Sequence, residues 1–133
     1  MRQRRRSEAG DVERAADGEG RQALARLHRF GGDALVRDLS VILLEDMPVR
    51  LAAARAAARA GDAGGVQLAA HSMRSSCAQF GAATVAALCG EVEDAARSDA
   101  LDPVPALLDE VDRRFAAFRG WLAREVPLPS GPE

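Results

Sequence analysis

Apolar residues recur along this chain at spacings of three and four, the period of α-helices that bury one face. Leu24 and Leu27 mark a short helix over Arg21 to Phe30. Gly31-Gly32 then breaks the chain, and Asp33 stands where an N-cap or first-turn acid belongs. Leu35, Val36, Leu39, Ile42, Leu43 and Met47 form the next stripe. Pro48 either kinks that helix or opens a new one at its first turn, and the pattern leaves both readings open. Leu51, Ala54 and Ala58 carry the stripe to Gly61, a C′ glycine, and Asp62 can cap the next helix.

The spacing predicts that helix from about Ala63 to Phe80, with Val66, Ala69, Ala70, Met73, Cys77 and Phe80 inward. After Gly81, another carries Val85, Leu88, Cys89, Val92 and Ala96 on one face. Ser98 to Asp102 reads as a loop, and Pro103 suits the opening of a last helix. There Val104, Leu107, Leu108, Val111, Phe115, Phe118 and Leu122 repeat with the same period. Pro127, Pro129 and Pro132 mark a structureless tail. No stretch alternates with period two. The expected fold is therefore all-α: an antiparallel four-helix bundle with a short extra N-terminal helix. Residues 1–20 are expected as a flexible arm, 21–126 as the bundle and 127–133 as a disordered tail.

Composition agrees. At 133 residues the chain has material for one core. It is rich in alanine, leucine and arginine, which favour helix, and it lacks tyrosine. The formal charge is −2, and every basic residue other than the two histidines is arginine. Arg2, Arg4, Arg5 and Arg6 crowd the N-terminus, but without interleaved aromatics such a cluster binds polyanions weakly. A nucleic-acid-associated protein led by this arm is thus a weak reading, and no nucleic-acid partner is expected. No run of about 18 apolar residues offers a membrane span. No apolar segment follows the basic start as a secretory signal would require, so a cytoplasmic protein is expected. Cys77 and Cys89 lie on apolar stripes and lack a CxxC spacing, which points to buried free thiols rather than a metal site. No GxxxxGK[ST] loop is present to bind a nucleotide.

Candidate chemistry narrows to two histidines. His28, near the end of the short first helix, reads as a surface residue whose charge suits a helix C-terminus. His71 is different. At about 100° per residue it points roughly 140° from the mean direction of the Val66 to Phe80 stripe. Gln67, Leu68, Ser75 and Ala78 share its outer side, and Arg74 lies one turn along, where its guanidinium can reach the space above the ring. A neutral imidazole is a competent nucleophile near neutral pH, and a neighbouring arginine could offset phosphoryl charge.

The string Ala70-His71-Ser72-Met73-Arg74-Ser75-Ser76-Cys77, followed by Phe80-Gly81-Ala82, resembles the histidine-phosphotransfer (HPt) family pattern A-H-x-L-K-G-S-[SA]-x-x-[apolar]-G-A. Gly31-Gly32-Asp33 with the Leu35 to Met47 stripe, Pro48-Val49-Arg50-Leu51, and Ala60-Gly61-Asp62 resemble the family's opening helices and turn. Leu88-Cys89 with Val92-Glu93 is similar to its L-C-x-x-L-E stretch. The likeness spans about Gln22 to Arg124.

The resemblance implies a four-helix bundle with His71 as phosphoacceptor. It also implies a carrier without an ATP site of its own, moving phosphoryl groups between receiver-domain aspartates. The partners implied are receiver domains of response regulators and hybrid histidine kinases. Mg²⁺ would come from the receiver, the chain having no cofactor of its own, and a monomer is expected. Arg74 and Ser75 would contact the phosphoryl group or partner, with Gln67, Leu68 and Ala78 in the docking surface and Gly81 structural. The chain departs from the pattern twice: Arg74 replaces lysine with a wider, planar head, and Ser75 replaces glycine. The competing reading is a helical module that binds a receiver or kinase without accepting phosphate.

Overall fold

The computed structural model describes residues 2–128, with side chains from residue 18 onward. The described residues form four helices: α1 Arg2–Arg59, α2 Ala63–Gln79, α3 Ala83–Arg97 and α4 Val104–Glu125. The expectations for the side chains of Arg2, Arg4, Arg5 and Arg6, and for the tail beyond Leu128, lie outside the described residues.

α1 is interrupted at Gly32, whose φ of 68° and ψ of −162° are not helical. Positive φ is cheap only for glycine, which explains the residue at the break. The stretch predicted as a short helix over Arg21 to Phe30 is the part of α1 just before this interruption. It packs on the bundle: Ala23 is buried and Leu24 and Leu27 are half-buried against the core. Packing reaches past both expected limits of the bundle. Gly20 is buried at one end, and at the other Leu128 lies against the core.

Pro48 sits inside α1 without a break in its helical backbone. It lies on the exposed side, where water can satisfy the Leu44 carbonyl that the ring leaves without a donor. Ile42, expected inward, is 52% exposed. The core face of α1 is set by Val36, Leu43, Met47 and Ala54, and Ile42 stands about 100° round from Leu43. Ser40 takes an inward place instead, its hydroxyl donating to the Val36 carbonyl at 2.6 Å so that no polar group is stranded.

Gly61 ends α1 with φ 70°, and the Asp62 N–H donates back to the Ala57 carbonyl at 2.8 Å. The Asp62 side chain then accepts from the Gly65 N–H at 3.0 Å, capping α2. Asp62→Ala should therefore lower unfolding stability by about 1 kcal/mol, read as a lower urea midpoint at unchanged slope. A variant as stable as the parent would show that the cap contributes nothing.

α2 packs between α1 and α3, and α4 closes the bundle against α3 and α1. Met73, Phe80, Leu43, Leu108 and Leu122 are the largest side chains fully removed from water at the centre. Trp121, one position beside the predicted α4 stripe, is also buried and stacks on Phe118 with ring centroids 5.5 Å apart.

Candidate functional site

α2 buries Val66, Ala69, Ala70, Met73 and Cys77. Helical phase then forces His71 to the outside, where its side chain is 58% exposed. Leu68 beside it is 70% exposed, and Ser75 and Ala78 are exposed while Gln67 is half-buried. The residues expected around the imidazole thus share its surface. Small side chains at Ser75 and Ala78 leave the ring standing clear of its helix.

The neighbour that sequence reasoning missed comes from α3. The Nδ1 of His71 lies 3.2 Å from Oε1 of Glu93, a carboxylate only 5% exposed. A carboxylate can only accept, so in the neutral ring Nδ1 carries the proton and donates it. Nε2 then keeps its lone pair. Twenty-two positions separate the two residues, so no periodicity links them. Two signals were present: Glu93 closes the stretch that resembles L-C-x-x-L-E, and it falls four residues after Cys89 and three before Ala96, placing a charge on an otherwise apolar face.

Two guanidiniums complete the cluster. Arg97 Nη2 donates to the same Oε1 at 3.2 Å, while Arg74 Nη1 lies 3.1 Å from Oε2. The Arg74 contact is an ion pair off the line of a hydrogen bond, since Oε2 makes none. Arg74, within reach of the space above the ring, turns toward α3, because a buried carboxylate without cations nearby would be costly. It remains 42% exposed and one turn from His71.

Other candidates drop away. Burial pushes the Cys77 and Cys89 thiols up to about 12, so both stay protonated and unreactive near neutral pH. They are free, with Cys77 Sγ 3.7 Å from Met47 Sδ. His28 pairs with Asp33 at 3.1 Å on the surface, across the Gly32 break. Among the described residues no group of His, Cys, Asp and Glu side chains could hold a metal ion, and no helix is long and apolar enough to cross a membrane. Gly81 has φ 70°, and its missing side chain leaves room for the Glu19 carbonyl.

Known proteins share this bundle. The Hpt domain family matches residues 38–121, a span that contains both the exposed imidazole and the buried carboxylate holding it. Among solved structures, the histidine-containing phosphotransfer protein B of Pseudomonas aeruginosa PAO1 superposes with a TM-score of 0.74 at 33% identity. That match covers 78% of this chain and 90% of the other. No curated protein matches. With the family pattern matched over most of its length and the bundle shared with a solved member, this chain belongs to the Hpt domain family.

Proposed function

We infer that this chain is a histidine phosphotransfer protein, relaying a phosphoryl group between receiver-domain aspartates through Nε2 of His71. The observation that carries the reading is the Nδ1–Glu93 contact, which leaves Nε2 as the unprotonated nitrogen of an exposed ring. In the accepting step the Nε2 lone pair attacks the phosphorus of an aspartyl phosphate. The P–O bond to the aspartate breaks, its electron pair returns to the carboxylate, and a phosphoramidate forms on His71. Charge developing on the ring is stabilised by Glu93, and Arg74, bound to Oε2 only as an ion pair, can swing to the phosphoryl oxygens. Donation to the next aspartate runs the same steps in reverse.

Mg²⁺ on this reading belongs to the receiver, and the chain contributes nucleophile and cations as a carrier rather than a kinase. Leu68, Ser75 and Ala78 form the docking surface around His71, with Gln67 and Arg74 at its edge. The stretch of α1 before Gly32 serves as the extra N-terminal helix, flanked by residues that act as an arm. The protein works as a cytoplasmic monomer.

The test is incubation with a phosphorylated receiver. The expected product is one label per chain, stable in base and lost in acid, as a phosphoramidate is. Binding of receivers without any such label would replace this reading with that of a non-phosphorylated interaction module.

A further inference from the structure

We propose that Arg97 is a positioning residue that keeps the His71 imidazole neutral, by sharing the carboxylate oxygen on which the ring depends. The inference deepens the reading of His71 as phosphoacceptor and rests on it for its functional meaning.

Oε1 of Glu93 accepts from His71 Nδ1 and from Arg97 Nη2, each at 3.2 Å. Arg74 lies against Oε2 at 3.1 Å. One nearly buried negative charge therefore already faces two guanidiniums. A second proton on the imidazole would gain little from an oxygen whose negative charge the guanidiniums already offset. Asp94 anchors Arg97 from behind, its Oδ1 accepting from Nη1 at 3.0 Å. The charged groups that pair within this cluster are Arg74 from α2 and Glu93, Arg97 and Asp94 from α3. Among the described residues, α1 and α4 send no ion-pairing side chain into this cluster.

Without Arg97, Oε1 has only the imidazole as partner, and its negative charge is no longer offset by that guanidinium. The ring then takes a second proton more readily, and that proton goes to Nε2. This is the atom whose lone pair must attack phosphorus. Arg97 touches no reacting atom, yet it guards the nucleophile's lone pair through Glu93.

The experiment is an NMR titration of the His71 ring in the unphosphorylated full chain. It compares the parent, Arg97→Gln, Arg97→Lys, Glu93→Gln and the double variant Glu93→Gln/Arg97→Gln. Arg97 is more than half exposed, so glutamine there leaves the bundle folded. Arg97→Gln should bind the second ring proton about threefold more tightly than the parent, the size expected for one partly solvated charge pair. Arg97→Lys should titrate with the parent, and Arg97→Gln should make no difference once Glu93 is glutamine. Phosphoryl acceptance by Arg97→Gln should accordingly fall off at higher pH than in the parent. Coincident titration of Arg97→Gln and parent overturns the proposal. So does a shift of equal size in the Glu93→Gln background, which would mean that Arg97 acts on the ring directly. The titration needs no phosphoryl donor. A chain that titrates as expected but is never labelled would sink the phosphotransfer reading alone.

Discussion

His71→Gln should abolish phosphoryl acceptance, lowering it by more than about a thousandfold, while the chain keeps its fold. Both halves of that expectation come from the geometry. Glutamine has a similar reach, favours helix, and its amide N–H can donate to Glu93 Oε1 as the ring nitrogen does. The buried carboxylate therefore keeps a partner, and helix content and melting temperature should stay near those of the parent. An amide nitrogen, however, has its lone pair delocalised into the carbonyl and does not attack phosphorus. The side-chain oxygen is no substitute, because phosphorylation there would create an unstable imidate. Radiolabel transfer from a phosphorylated receiver, with circular dichroism on the same samples, checks both. Labelling that survives in this variant would move the acceptor to another residue.

The largest expected loss of stability is at Gly81. Two penalties meet there. Its φ of 70° lies in the left-handed region, which costs a residue with a Cβ about 1–2 kcal/mol. A Cβ at this position would also overlap the Glu19 carbonyl oxygen and stand 2.7 Å from its carbon. Those are backbone atoms of the stretch of α1 before Gly32, so they cannot rotate aside as a side-chain tip would. Gly81→Ala should therefore cost about 3 kcal/mol or more in urea unfolding, as strain adds to overlap. Gly61→Ala is the matched control. Gly61 has the same φ of 70° but nothing within 4 Å of an added Cβ. It should lose only the conformational part. Equal losses in the two variants would show that the contact between Glu19 and the α2–α3 turn contributes no stability.

Much of this was legible in the pattern of apolar positions. The stripes of α2, α3 and α4 carry nearly all of the residues buried on those helices, because a helix with one packed face must repeat with its own period. Gly61 and Asp62 were readable as a helix end and a cap because each does its work locally. His71 could be placed outward for the same reason.

What stayed hidden is tertiary. Glu93 meets His71 only because α2 and α3 pack side by side. The docking of Glu19 and Gly20 on Gly81 and Trp121 joins parts of the chain that share no local signal. Ile42 failed as an inward residue because a stripe read by spacing alone is wider than the face that packing covers. Ser40 shows the converse: a polar residue can go inside when its own helix supplies an acceptor.

The contact between α2 and α3 has a consequence for which chains can take part in signalling at all. The ring's preferred tautomer is imposed by a residue from another helix, so it exists only where those helices have docked. In a partly assembled chain the imidazole would exchange freely between its two neutral forms and would lose the cations gathered around Glu93. Readiness to react is in this sense a readout of correct assembly. A misassembled copy would present the reactive form only part of the time, and its phosphoryl chemistry would slow without any separate control to restrain it.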